Sequence, residues 1–113
     1  MNQNNPPTEH ILACLSSSPS NAKIVRTAAT MAKAFGGTFT ALYVRTPDSD
    51  QMGKEDCRRL QQHIRMAEQA GADISTIYGD DIPQQIAEFA RISGITKIVL
   101  GRSSVHRRHF WSG

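Results

Sequence analysis

Four serines between residues 16 and 20 form the first group of side chains that could do chemistry. Ser16, Ser17 and Ser18 are consecutive, and Ser20 follows Pro19. They come directly after a short apolar run and directly before a stretch with helical periodicity. Hydroxyls at a strand–helix junction, together with the backbone N–H groups of a first helical turn, can hold a phosphate. The alternative is that these serines only cap the helix.

A second polar group follows the last apolar run of the chain. It begins at Gly101 and continues with Arg102, Ser103 and Ser104. Glycine lets the backbone approach a ligand closely, and the planar guanidinium of arginine matches the oxygens of a phosphate. This segment is therefore a second candidate for binding an anion.

A basic segment extends the second group toward the end of the chain. Arg107 is a further candidate for a phosphate contact, although Arg107 and Arg108 equally fit a solvated basic tail. His106 and His109 have the spacing of metal ligands on a helix. Because no acidic or cysteine partner lies nearby, we expect no metal site.

The third group is the aromatic run Phe39-Thr40-Ala41-Leu42-Tyr43. Alternation along a strand places Phe39, Ala41 and Tyr43 on one face and the other two residues on the opposite face. Most of this run must be core. Tyr43 lies near the carboxyl end of its strand, where an aromatic ring can stack on a base.

Sequences typical of catalysis are absent from the chain. It has no G-x-S-x-G elbow, no Walker A sequence and no evident acid/base pair of carboxylates. We therefore expect a domain that binds a ligand without acting as an enzyme.

Four apolar runs alternate with three helical patterns. The predicted strands are residues 11–15, 38–45, 72–78 and 95–100, and the predicted helices begin at Ser18-Pro19, near Asp50 and at Asp81. The order βαβαβαβ predicts a parallel α/β sandwich of the Rossmann-like kind, with the strands in the order 3-2-1-4. Ligands bind such sheets at the carboxyl ends of the strands, where the serines and Gly101 both lie.

Details of the helices are also predicted by the sequence. Ser18 fits an N-cap with Pro19 at the first helical position. In the second helix, the expected buried stripe is Cys57, Leu60, Ile64 and Ala67. Arg58, Arg59 and Arg65 are assigned to a solvated face without function.

Composition limits the class of protein. The 113 residues carry a net charge of +3 and are 39% hydrophobic, which suits one globular domain and does not require a nucleic-acid partner. We expect residues 1–9 to be a flexible leader or linker and residues 10–113 to form the domain. Because a doubly wound unit would continue past Gly113, we expect truncation before the last helix and strand. An unpaired fourth strand would then favour a homodimer.

These residues resemble the universal stress protein family. The similarity covers about His10 to Arg108 and rests on the strand order, the loop from Ser16 to Asn21, and Gly101. Within that family, residues 22–29 and 39–44 look like the domain inside the KdpD sensor histidine kinases, which are membrane-bound and control potassium uptake. The resemblance implies a cytoplasmic domain whose partners are a small-molecule nucleotide and other domains of the parent kinase.

The resemblance also implies a ligand, cyclic di-AMP, and no further cofactor. Some KdpD members bind it through the pattern Ser-x-Ser, twenty residues, Phe-Thr-Ala-x-Tyr, and Ser16-Ser17-Ser18 precedes Phe39-Thr40-Ala41-Leu42-Tyr43 at that spacing. If the binding pattern of those members is transferred to this chain, the resemblance implies that Ser16, Ser18, Thr40 and Tyr43 line the nucleotide site. It gives Phe39 and Ala41 a supporting part and brings Arg102, Ser103 and Arg107 toward a phosphate.

Two departures from the family pattern keep other functions open. Ser16 stands where ATP-binding members have an aspartate, and Ser104 stands where they have a second glycine. These departures make an ATP- or AMP-binding domain the weaker alternative. The remaining alternative is an interaction module that binds no ligand.

Overall fold

Strands and helices alternate throughout residues 8–101, which are the residues that the computed structural model describes. The strands are β1 (His10–Cys14), β2 (Thr38–Arg45), β3 (Asp73–Tyr78) and β4 (Lys97–Val99). The helices are α1 (Asn21–Phe35), α2 (Lys54–Gln69) and α3 (Ile82–Ser93), and a single-turn 3-10 helix (Asp48–Gln51) precedes α2.

The four strands form one parallel sheet in the order β3-β2-β1-β4. β1 pairs with β2 on one side and with β4 on the other, and β2 pairs with β3. The predicted fold class, strand direction and strand order are confirmed. Because β1 and β4 are parallel neighbours, the segments that leave their carboxyl ends emerge at the same edge of the sheet.

The two faces of the sheet carry separate parts of the core. Phe39 and Ala41 of β2 pack with buried residues of α1 and α2. Leu42 and Val44 face the opposite side, where residues of α3 cover them. The predicted alternation along β2 is confirmed. In the central strand β1, Ile11–Ala13 have no exposed surface, as expected for a parallel strand with cover on both faces.

β4 is less covered than its apolar sequence predicted. It is the edge strand of the described sheet, and Ile98 is 42% exposed. The difference arises because α3 lies over β2, whereas β4 contacts α1 on the other face. The strand is also shorter than the predicted 95–100, since it spans only Lys97–Val99.

The start of α1 differs from the prediction. The helix begins at Asn21, its N-cap is Ser20, and this serine makes no side-chain capping bond. The prediction of Ser18 as N-cap and Pro19 as first helical residue is wrong. The reason is that the hydroxyl of Ser18 bonds within the loop, to the hydroxyl of Ser20 at 3.0 Å. The buried side chain of Asn21 then sets the first residue of the helix.

The start of α2 also lies later than predicted. The predicted helix from Asp50 is divided, because Met52 and Gly53 are extended between the 3-10 helix and Lys54. Cys57, assigned to the buried stripe, is exposed, whereas Leu60 and Ala67 are buried. The third buried residue of α2 is His63. The stripe is thus rotated toward the histidine.

In residues 8–101, every helix falls short of the length and hydropathy that crossing a bilayer requires.

Candidate functional site

An open cavity of about 600 Å³ lies at the carboxyl ends of β1, β2 and β4. One wall is the segment from Ser16 to Ser20, which we call the serine loop. Thr46, Asp48 and Ser49, between β2 and α2, contribute further polar lining. The apolar lining residues include Ile24, Leu42, Ile82, Ile86 and Leu100. The cavity is large enough for a nucleotide and combines apolar surface with a few polar groups, as ligand sites do.

The structure brings five of the predicted site residues together in this cavity. They are Ser16, Ser17, Ser18, Tyr43 and Gly101. The serine part and the aromatic part of the pattern therefore both contribute to one cavity. Tyr43, which supplies the aromatic part, is half-buried. A methyl group at Gly101 would make only ordinary contacts, at 3.7 Å from Ile24. Close packing in the described residues thus does not require glycine there.

The remaining predicted site residues lie elsewhere. Phe39 and Ala41 are buried in the core, where they can act only as support. Thr40 does not line the cavity, which corrects the implied position of this residue. It precedes Tyr43 by three residues, and at about 3.3 Å per residue it lies about 10 Å further back along the strand. Arg102, Ser103 and Arg107 lie outside the described residues.

The serine loop is organised by short-range bonds among its own groups. The backbone N–H of Ser18 donates to Oγ of Ser16 at 3.2 Å, and the hydroxyls of Ser18 and Ser20 are 3.0 Å apart. The N–H of Ser20 lies 3.4 Å from Oγ of Ser18. Hydroxyls that accept from the backbone keep their own protons available for another acceptor. The loop can therefore offer hydroxyl donors to an oxyanion.

Asn21 fastens the loop to the end of β1. Its side chain is only 3% exposed. Nδ2 donates to the carbonyl of Cys14 at 2.9 Å, and Oδ1 accepts from the N–H of Ser16 at 3.1 Å. The sequence interpretation missed this residue. Its signal was weak, since an asparagine after a serine run equally fits a solvated helix start.

Two side chains of α2 hold the loop from the side away from the cavity. Nε of Arg59 donates to the carbonyl of Ser17 at 2.8 Å. Nδ1 of His63 lies 2.8 Å from the carbonyl of Ser16. The prediction of Arg59 on a functionless solvated face is therefore wrong in its contacts. His63 was also missed, although its spacing from Leu60 and Ala67 indicated a buried histidine.

The charges that line the cavity are few. Among its described lining residues there is one carboxylate, Asp48, and no lysine or arginine. The described residues also contain no group of three or more metal-binding side chains. The serine loop and the N-terminus of α1 supply only partial positive charge. Full positive charge for a phosphate is therefore not supplied by the described lining residues.

Cys14 lines the cavity, and burial lowers the reactivity of its thiol. Burial raises the pKa of its thiol from 9.0 to about 12. At pH 8 we expect iodoacetamide to modify the exposed Cys57 and to spare Cys14, because the thiolate is the reacting species. Labelling of Cys14 in the folded protein should increase only as the pH rises toward 12. Peptide mass spectrometry measures this, with denatured protein as the control in which both thiols react. Equal labelling of both thiols in the folded protein would contradict the prediction.

Comparison with known sequences places this fold and site in a class. The sequence profile described as the universal stress protein family matches residues 7–113. The chain therefore belongs to the universal stress protein family, and the resemblance drawn from the sequence is confirmed.

Two curated relatives are of one kind, namely KdpD sensor proteins. The sensor protein KdpD of Clostridium acetobutylicum is 37% identical over 93% of this chain. The sensor protein KdpD of Escherichia coli is 30% identical over 86%. The chain spans only 12% and 11% of the lengths of these two relatives. It is thus similar to one domain-sized part of a much longer sensor.

Solved structures support the fold. A universal stress family protein from Burkholderia pseudomallei has a TM-score of 0.67 at 20% identity, covering 92% of this chain and 89% of its own. A universal stress protein in complex with cAMP has a TM-score of 0.61 at 16% identity, with 80% and 69% covered. One from Archaeoglobus fulgidus in complex with dAMP has a TM-score of 0.55 at 21% identity, with 84% and 81% covered.

Proposed function

We propose that this domain senses a nucleotide, cyclic di-AMP, as the regulatory domain of a sensor histidine kinase that controls potassium uptake. The observation that carries the proposal is that the serine loop and Tyr43, which belong to the two separate parts of the predicted motif, line one cavity. A base stacks on an aromatic ring, and a phosphate accepts hydrogen bonds from hydroxyls and backbone N–H groups. The cavity offers both kinds of partner.

The choice of a cyclic dinucleotide over ATP follows from charge. A triphosphate usually requires a glycine-rich cradle and often a magnesium ion. The serine loop contains no glycine, and the described cavity lining has no cation. A diester with one charge on each phosphate makes smaller demands. In the proposal, Arg102, Ser103 and Arg107 add the missing donors and charge.

A mononucleotide is the second candidate ligand. Two similar solved structures hold cAMP and dAMP, each with a single phosphate and a single base. One serine loop and one tyrosine would be enough for such a ligand. A domain that binds no nucleotide and only contacts other parts of the kinase is the remaining outcome.

The proposed domain acts by binding alone. The cavity presents hydroxyls and one carboxylate, but no paired acid and base among its described residues, so no nucleotide hydrolysis is expected. Output would pass to other domains of the parent kinase, which we place on the cytoplasmic side of a membrane. The relatives, of which this chain spans about one eighth, are the reason for invoking such domains.

Calorimetric titration of the 113-residue chain tests the proposal. We expect cyclic di-AMP to bind more tightly than AMP, cAMP or ATP, and to raise the melting temperature because it binds only the native state. Tighter binding of a mononucleotide would establish the second candidate. Absence of binding and of any thermal shift with all four would leave the interaction module.

Replacement of Tyr43 by alanine measures the stacking contribution. We expect affinity for cyclic di-AMP to fall by about 1–3 kcal/mol, which is about 5- to 150-fold, with little dependence on salt. Tyr78→Ala is the matched control, because Tyr78 is exposed and does not line the cavity. Normal binding by folded Tyr43→Ala protein would show that Tyr43 is only part of the core.

A further inference from the structure

Two peptide groups of the serine loop have a definite orientation, because the carbonyls of Ser16 and Ser17 are both bonded to α2. The carbonyl of Ser16 faces Nδ1 of His63, and the carbonyl of Ser17 accepts from Nε of Arg59, each at 2.8 Å. Neither His63 nor Arg59 lines the cavity. Side chains of α2 therefore hold main-chain groups of the loop, from the side that faces away from the cavity.

This orientation fixes the amide N–H groups as well. In a trans peptide the N–H points opposite to the carbonyl of the preceding residue, and the described chain contains no cis peptide. The N–H of Ser17 shares a plane with the carbonyl of Ser16, and the N–H of Ser18 shares one with the carbonyl of Ser17. Both N–H groups consequently point away from α2. Within residues 8–101, the N–H of Ser17 has no hydrogen-bond acceptor, whereas that of Ser18 donates to Oγ of Ser16.

We propose that Arg59 and His63 are positioning residues, which turn the Ser16 and Ser17 carbonyls toward α2 and thereby present the Ser17 and Ser18 amides to a phosphate oxygen of the ligand. The part about the ligand rests on the proposed function. Consecutive backbone N–H groups that converge on one side form an anion-binding concavity. Loss of either α2 bond frees a peptide plane to rotate and to place a carbonyl where an anion should lie.

The two side chains are themselves well held for this task. His63 is 4% exposed, and since a carbonyl oxygen can only accept, its Nδ1 must carry the proton. Arg59 is oriented by a second bond, from Nη2 to Oδ1 of Asp56 at 3.0 Å. A rigid donor on each carbonyl makes the peptide orientation a property of the free protein. The N–H of Ser17 is then ready for the ligand without rearrangement, and the N–H of Ser18 needs only to exchange its bond to Oγ of Ser16 for one to the phosphate.

Substitutions that remove a single hydrogen-bond donor of α2 test the proposal. His63→Leu removes the N–H, and His63→Asn retains a side-chain N–H close to the position of Nδ1. Arg59→Met removes the other donor but keeps an unbranched stem, and Arg58→Met is the matched control on the exposed neighbour. The readouts on the full 113-residue chain are the amide ¹H–¹⁵N resonances of Ser17 and Ser18 without ligand, and the affinity for cyclic di-AMP.

We expect His63→Leu and Arg59→Met each to shift these two amide resonances and to weaken binding about tenfold. His63→Asn should restore both, and Arg58→Met should change neither. Thermal melting identifies any variant that fails to fold, in which case the other position decides. Unshifted resonances in folded His63→Leu and Arg59→Met protein overturn the proposal, as does a shift that His63→Asn fails to reverse. If wild-type protein binds no cyclic di-AMP, the proposed function fails, and the amide resonances alone decide the positioning.

Discussion

Substitution of aspartate for Asn21 is expected to destabilise the domain by at least about 3 kcal/mol at pH 7. Asn21 is buried, and its Nδ2 donates to the Cys14 carbonyl while its Oδ1 accepts from Ser16. A carboxylate has the same shape but no donor, so a charged oxygen would face a carbonyl oxygen without solvent. Since domains of this size have only about 5–15 kcal/mol of stability, the loss is a large fraction of the total.

The destabilisation should depend on pH in a defined direction. Burial beside a carbonyl favours the protonated acid, so the introduced group has a folded-state pKa above its ordinary value of about 3.9. The protonated acid can donate to Cys14 as the amide does. The stability of Asn21→Asp protein relative to wild type should therefore be nearly retained below pH 4 and lost as the pH rises through and above that value.

Urea unfolding of both proteins at a series of pH values measures this difference. Asn21→Leu is the control, because it removes both bonds without adding a titrating group and should show a deficit that changes little with pH. Cyclic di-AMP affinity should also fall in Asn21→Asp, since negative charge is added behind the serine loop. A deficit in Asn21→Asp that is the same at pH 4 and pH 7 would mean that the side chain is not confined as the structure has it.

Alanine at Gly37 is expected to cost about 3 kcal/mol, for a steric reason. A Cβ at this position would lie within 2.1 Å of the carbonyl oxygen of Glu9, which is backbone and cannot rotate away. That same oxygen accepts from the N–H of Thr38 at 2.9 Å, at the point where β1 and β2 begin to pair. Relief of the clash would separate the two central strands at their start.

Gly36 provides a matched control one residue earlier. It ends α1 with φ of 65°, and a Cβ there would meet nothing within 4 Å. Gly36→Ala should therefore cost only the conformational penalty of about 1 kcal/mol. Thermal unfolding of the two variants measures the difference. Equal losses would contradict the prediction that close approach to Glu9 requires glycine at position 37.

The sequence predicted those parts of the fold that depend on local patterns. The apolar run around Ile11–Leu15, the alternation in residues 39–44 and the glycines after Phe35 each act within a few residues. The boundary errors have local causes that a pattern does not reveal. Ser18 bonds Ser20 instead of capping a helix, and Gly53 adopts an extended conformation that divides the predicted second helix.

The candidate site was predicted in part for the same reason. Ser16–Ser18, Tyr43 and Gly101 follow from the rule that ligands bind at the carboxyl ends of parallel strands. The contacts of Arg59 and His63 join residues 42 and 47 positions apart, so they depend on how α2 packs against the sheet. The helix period marks His63 as inward-facing, but only the tertiary structure shows which backbone group it meets.

The bonds from α2 end on main-chain carbonyls, which every amino acid possesses. Exchange of Ser17, whose hydroxyl has no bonding partner in residues 8–101, would leave both of these bonds available. A lineage can therefore alter the side chains that face the ligand while the path of the loop stays the same. In this architecture, two of the residues that fix the path of the binding loop belong to a helix behind it. The residues that decide what the loop binds remain free to diversify.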